Sequence, residues 1–190
     1  IYNNGKSDVY LGRWMNHRGI RDEVVVLGKG AHTPDCLPQL IRPLLEESLD
    51  RLKTDYLDLY CLHRDNLEVP VSEFIDALNK EKDKGRIKIF VGSNLTLNRF
   101  SEANDWANKN KKQPMTILNN NLALSKMIHP LWDGCISSND ENILKYLEET
   151  QTAHLSWSSQ GRGYFLPPEI CQAVEDQITS DAVSYTHLTL

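Results

Sequence analysis

Residues 55–66 read DYLDLYCLHRDN, a β-prone apolar run that ends abruptly in a histidine, an arginine and an aspartate. Four other runs share its character: EVVVLGKG (23–30), RIKIFVGSN (86–94), MTILNN (115–120) and TAHLSWSS (152–159). Each is short and rich in β-branched residues, and the most nearly continuous of them predict strands covered on both faces. Between the runs the spacing turns helical. Val71, Phe74, Ile75 and Leu78 fall at i, i+3, i+4 and i+7, with Pro70 before them and Lys84-Gly85 after, which predicts one amphipathic helix with its start and stop signals in place. Leu40, Ile41, Leu44, Leu45, Leu49 and Leu52 predict another, with Pro43 marking its start or a kink. Phe100, Ala103 and Trp106 predict a third, and Ile143, Leu144 and Leu147 a fourth.

Strands that alternate with helices predict βαβ units and a parallel sheet. Lys29, His63, Ser93-Asn94, Asn119-Asn120 and Trp157-Ser158 then all stand at C-terminal strand ends. In a parallel barrel that rim carries the chemistry. A doubly wound sheet would follow its first strand with a glycine-rich phosphate turn. Neither G-x-G-x-x-G nor G-x-x-x-x-G-K followed by Ser or Thr occurs, so the barrel is preferred.

The chain has 190 residues, 40% hydrophobic and 25% charged, which is ordinary usage for one domain with a sizeable core. A net charge of -5 argues against nucleic acid as a partner. Lys109 to Lys112 contain the one basic cluster, read as a solvated helix end. No apolar stretch approaches the roughly 20 residues of a membrane span, so no membrane partner is expected. The widely spaced Cys36, Cys61, Cys135 and Cys171 form no C-x-x-C pair, which suits a reduced, cytoplasmic protein. Asn94-Leu95-Thr96 matches a glycosylation sequon, read as chance. The chain starts at Ile1 with no signal-peptide pattern, and its tail VSYTHLTL (183–190) reads as a translated sequencing adaptor rather than native sequence. Residues 1–182 are therefore expected to form a single domain.

Taken together, YNNGKSDVYLG (2–12), VVVLGKG (24–30), the strand ending in LHRD, GSN (92–94) and WSSQGRG (157–163) resemble the aldo-keto reductases, in order and at similar spacings, over most of residues 1–170. GKGAHTP (28–34) and HRDNLEVPV (63–71) are similar to members of that family fused behind a sugar-dehydrogenase-like domain, which makes an N-terminal dehydrogenase-like partner an expectation. The resemblance implies a (β/α)8 TIM barrel, here incomplete, lacking the first strand and the last βα unit. It implies an oxidoreductase that moves a hydride between NADPH and a small, sugar-like or other carbonyl compound, with NADH not excluded and no metal. Tyr2, Lys29 and His63 match the family's catalytic tyrosine, lysine and histidine; the accompanying aspartate would lie upstream of Ile1. Ser93, Asn94 and Asn119 match positions that bind the nicotinamide carboxamide, Asn119 standing where glutamine is usual. Trp157 stands where an aromatic, commonly tyrosine, stacks on the nicotinamide. Ser158, Gln160 and Arg162 lie in the turn along the pyrophosphate. The loop that would grip the 2′-phosphate is not among these residues.

The trio has its own logic. Adding hydride to a carbonyl puts negative charge on oxygen, which needs a proton as that charge develops. A tyrosine with pKa near 10 is a reluctant donor until a nearby ammonium stabilises its anion. A histidine N–H on the other side orients the carbonyl. A lysine closing an apolar strand ordinarily lays its stem along neighbouring bulk; Lys29 stands between two glycines and has none. Arg64 and Asp65 are read as loop-structure residues. With two sheet edges left unpaired, the chain alone is expected to be poorly stable and inactive. A second reading is a cofactor-sensing regulatory module; a metal hydrolase lacks support, since no H-x-H or H-E-x-x-H pair occurs.

Overall fold

The five strands pair in the order in which they occur, and every pairing is parallel. The computed structural model describes residues 2–127 and 129–167; the adaptor-like tail lies outside the described residues. The strands are β1 (Leu27–Gly30), β2 (Leu57–Leu62), β3 (Ile87–Ser93), β4 (Met115–Asn119) and β5 (Ala153–His154). The helices are α1 (Lys6–Arg18), α2 (Pro38–Leu52), α3 (Val71–Asp83), α4 (Leu97–Lys109) and α5 (Glu141–Thr150). A doubly wound sheet reverses its strand order at a switch point. This one never does, so it is a run of successive barrel strands with helices α2 to α5 as the crossovers.

Burial separates the two faces of the sheet. Tyr60, Leu62, Phe90 and Leu118 join Ile41, Leu45, Phe74, Ile75, Leu78 and Phe100 in one apolar cluster between strands and helices. Each such side chain contributes about 1.5–3 kcal/mol by leaving water. Cys61 and Val91 are fully buried but outside that cluster, which leaves them on the concave side with Lys29. Pro43 lies inside α2, which begins five residues earlier at Pro38 and runs through it. Thr96 caps α4 by accepting from Arg99 N, and Asp140 caps α5 by accepting from Asn142 N and Ile143 N. Such caps are worth about 1 kcal/mol each.

Two features depart from the sequence expectation. The run 152–159 yields only a two-residue strand, and beyond it side chains reinforce the remaining main-chain bonds, from Leu155 N to Leu118 O at 2.9 Å and from Trp157 N to Asn120 O at 3.4 Å. Asn119 Nδ2 donates to Leu155 O and Asn121 Nδ2 to Trp157 O, while Asn120 Nδ2 donates the other way, to Leu95 O. Three consecutive asparagines thus bind the chain on both sides of the β4 end. The second departure is α1, which packs on α2 at Gly12. A Cβ on Gly12 would lie 2.5 Å from Leu52 O, so only glycine permits that approach.

The glycines flanking Lys29 also have a packing reason. A Cβ on Gly30 would lie 2.0 Å from Tyr60 Oη, and Tyr60 Oη is buried without a hydrogen-bond partner. Gly30→Ala is expected to destabilise by about 1–3 kcal/mol through overpacking. Tyr60→Phe removes an unsatisfied hydroxyl and should be neutral or stabilising by about 1 kcal/mol. Urea titrations of the two variants and of their combination check this: the Gly30→Ala penalty should shrink in the Tyr60→Phe background, and an unchanged penalty would mean the clash lies elsewhere.

Candidate active site

Register aligns the rim. Lys29 pairs with Cys61 and Ser93 with Asn119, while His63 N donates to Gly30 O at 2.8 Å just beyond β2. Lys29 Nζ reaches Ser93 Oγ at 3.5 Å. Ser93 Oγ donates to Asn119 O at 2.7 Å and accepts from Asn94 Nδ2 at 3.2 Å. Lys29, His63, Ser93, Asn94 and Asn119, picked from four separate stretches of sequence, therefore form one neighbourhood.

Asn94 holds three partners at once. Its Nδ2 also donates to His63 O at 3.2 Å, and its Oδ1 accepts from Ile136 N at 3.1 Å. Its φ of 57° is the left-handed region, where asparagine is among the favoured non-glycine residues. Asn94 is buried and its amide nitrogen is engaged, which leaves the sequon no accessible acceptor. Asn119 is likewise engaged, with Nδ2 on Leu155 O and Oδ1 facing Cys61 Sγ at 3.9 Å.

A cavity of about 670 Å³ opens over this rim. Lys29, His63, Asn94, Trp157 and Ser158 border it, and so do His32, Trp132, Asp133 and Cys135, which the sequence reading gave no place in the site, and Arg64, which it read as a loop-structure residue. Of the remaining expected residues, Ser93 and Asn119 lie behind this wall. Gln160 and Arg162 lie past Trp157 at a short turn over Gly161–Gly163, and the side chain of Tyr2 is outside the described residues. The rings of Trp132 and Trp157 stand 6.4 Å apart at 45°, and the Arg162 guanidinium lies 4.9 Å over Trp132. His32 meets His63 edge to face at 4.7 Å. A signal for the missed residues was present in Trp132-Asp133-Gly134, an aromatic followed by an Asp-Gly turn: Gly134 has φ 71° and Cys135 N donates back to Trp132 O.

Electrostatics tune the two titratable groups. Burial lowers the Lys29 ammonium from its usual range, and Arg64 adds to this while Cys61 and Cys135 oppose it. Burial, then the positive charges of Lys29 and Arg64, push His63 down to about 3. His63 is thus a neutral imidazole across the physiological range, able to donate one N–H. The two thiols stay protonated where they are tuned: burial lifts Cys61 to about 12 and Cys36 to about 11. Among the described residues no group of three or more His, Cys, Asp or Glu side chains could hold a metal ion, and no helix is long and apolar enough to cross a membrane.

Known proteins share this arrangement of strands. The chain overlays an aldo-keto reductase from Klebsiella pneumoniae solved with NADPH at a TM-score of 0.69 and 21% identity, covering 97% of this chain and 61% of that one. It overlays a putative 2,5-diketo-D-gluconic acid reductase B at 0.71 and 19%, covering 95% and 59%. Among sequences, it is 24% identical to the norsolorinic acid reductase of Aspergillus flavus over 187 residues, spanning 89% of this chain and 44% of that protein. It is 30% identical to the aldo-keto reductase yakc of Schizosaccharomyces pombe over 112 residues, spanning 54% and 33%. The chain thus spans less than half the length of these two relatives. A sheet of successive parallel strands, with lysine and histidine meeting at its C-terminal rim, is joined by a match of residues 1–167 to the model of one family, and the chain belongs to the aldo/keto reductase family.

Proposed function

We propose that this chain carries the proton-donating and nicotinamide-facing part of an NADPH-dependent reductase of small aldehydes or ketones. The observation that supports it most is the meeting of Lys29, neutral His63 and the Trp157 indole on one cavity at the C-terminal rim. The residues suit a nicotinamide cofactor. Trp157 offers a ring for stacking, and its Nε1 is a buried donor without a partner. Ser93, Asn94 and Asn119 provide the amide and hydroxyl groups that a carboxamide needs, and Ser158, Gln160 and Arg162 continue toward the pyrophosphate. Two of the relatives carry the cofactor in their names or titles, one NADP(+) and one NADPH.

When bound, the cofactor supplies a hydride to the carbonyl carbon. Tyr2 gives the carbonyl oxygen its proton as negative charge develops there. Lys29 stabilises the resulting tyrosinate through the charge of its ammonium, whose own pKa is lowered by burial. His63 donates an N–H to the same oxygen and holds it in line for reaction. A lysine and a histidine aimed at one cavity favour an enzyme over a cofactor sensor, which would need neither. The substrate is a small carbonyl compound, with sugar-like carbonyls the first class to try, and the N-terminal dehydrogenase-like partner belongs to the same reading of the full-length protein.

The test is carbonyl-dependent oxidation of NADPH by the full-length protein across aldehydes, ketones and aldoses, read as loss of nicotinamide absorbance, beside NADPH binding by fluorescence. Turnover on any carbonyl supports the reductase. Micromolar binding without turnover on any of them would point to the sensor.

A further inference from the structure

Asn121 has no part in the chemistry described so far, yet four hydrogen bonds meet on it. It is buried, 4% exposed, two residues beyond Asn119, the last residue of β4. Its N–H donates to Ile136 O at 3.0 Å, and its carbonyl accepts from Ser138 N at 2.7 Å and Ser137 Oγ at 3.5 Å. Residues 136–138 are therefore clamped from both sides of one peptide. Asn94 adds a second hold on Ile136, through its N–H. This segment is the stem of the turn that presents Trp132, Asp133 and Cys135 to the cavity. The Asn121 side chain acts in the opposite direction, donating from Nδ2 to Trp157 O at 3.0 Å. The other main-chain tie of Trp157, from its N–H to Asn120 O, is long at 3.4 Å. One residue thus joins the two aromatic walls of the cavity: its backbone pairs with both Ser137 and Trp157 as isolated parallel bridges, and its amide adds a further bond to Trp157 O.

We propose that Asn121 is a positioning residue for the reduction, setting Trp157 against the turn that carries Trp132 so that the two indoles face the same occupant. The functional half of this inference rests on the reductase reading above; the structural half does not. Asn121 touches no reacting atom and acts through Trp157. Its backbone clamp survives substitution, so a side-chain variant isolates the Trp157 tie and leaves the Trp132 stem in place. The loss of one neutral hydrogen bond is small enough for the variant to fold.

The experiment uses the full-length protein labelled with fluorotryptophan and read by fluorine NMR, with Asn121→Ala, Asn121→Gln and Trp157→Ala. Asn121→Ala is expected to shift and broaden the Trp157 signal, to move Trp132 less, and to leave Trp14 and Trp106 where they are. An unmoved Trp157 signal overturns the proposal, and this arm needs no cofactor or substrate. In turnover assays Asn121→Ala should weaken NADPH binding and raise KM for the carbonyl by about fivefold to tenfold, a factor of 10 corresponding to about 1.4 kcal/mol. The pH profile, set by Tyr2 and Lys29, should stay in place. Asn121→Gln, which keeps the donor, should recover part of the loss. In the Trp157→Ala background Asn121→Ala should add nothing further; full additivity would show that Asn121 does not act through Trp157 and would overturn the proposal. A wild-type protein that neither binds NADPH nor turns over any carbonyl would refute the reductase reading, with the Trp157 signal still deciding the structural half.

Discussion

Lys29→Met in the full-length protein is expected to lower kcat for carbonyl reduction by about 10²–10⁴-fold, the range of a lost proton-transfer group, with little change in KM. On the proposed reading the ammonium is needed only as charge builds on the carbonyl oxygen and its donor, so its removal should fall on the transition state and spare the ground state. Tyr2→Phe should cost a similar factor. If Lys29 works by stabilising the Tyr2 anion, the two losses must not multiply: the double variant should be no slower than the worse single one. Multiplying losses, measured in single turnover, would mean that Lys29 acts on something other than Tyr2. The pH profile provides a second check. His63 holds its proton only near about 3, so no histidine inflection is expected between about pH 5 and 8. With the Lys29 pKa lowered, the ammonium form is lost as pH rises, beginning below the usual lysine range of about 10.4. Reduction should therefore decline on the alkaline side earlier than an ordinary lysine would dictate. An inflection near neutrality that vanishes in His63→Gln would show that the imidazole titrates after all.

The strands were legible because a buried parallel strand leaves a plain mark, a short β-branched run with both faces apolar. The four crossover helices were legible for a similar reason, since α2 to α5 each bury one stripe against the sheet. Helix α1 was not, because it buries only Gly12 and Met15 and its key contact is the absence of a side chain. In sequence an internal glycine weakens a helix; its value here appears only once Leu52 stands 2.5 Å from where a Cβ would be. The run 152–159 looked like a full strand, but after His154 the main-chain pairing thins to single bonds and the amides of Asn119 and Asn121 supplement it, which no local pattern announces. At the site, residues at strand ends were readable because the register of a parallel sheet puts them together. His32, Arg64, Trp132, Asp133 and Cys135 come from the loops, whose course depends on distant partners such as Asn94 and Asn121. Asp65 was read, together with Arg64, as a loop-structure residue, and it has a buried partner on α4.

Asp65 pairs with Arg99 of α4, Arg99 Nε lying 3.2 and 3.0 Å from the two carboxylate oxygens, with both side chains largely buried. Arg99 Nη2 also donates to the carbonyls of Asn66, at 3.0 Å, and of Val69. One guanidinium thus ties the loop that follows His63 to the helix that follows Asn94. Arg99→Met is expected to destabilise the protein by about 3–5 kcal/mol, because it leaves the Asp65 carboxylate buried without its counter-charge and two carbonyls without a donor. At roughly 2–4 °C per kcal/mol for a domain of this size, the melting temperature should fall by roughly 6–20 °C. Asp65→Asn in the same background should return part of the loss, since the stranded charge is then gone while the neutral amide keeps the shape. A cycle of the two single variants and the double, followed by urea denaturation, measures the coupling. The loss should also reach the site. His63 stands two residues before Asp65, and its carbonyl already depends on Asn94 for placement. Freed from α4, the loop loosens on one side of that carbonyl, so kcat/KM should drop at temperatures well below the melting transition. An Arg99→Met protein within about 1 kcal/mol of wild type, with unchanged turnover, would mean that packing of Cys36 and Asn66 against each other's chain segments suffices to hold the loop.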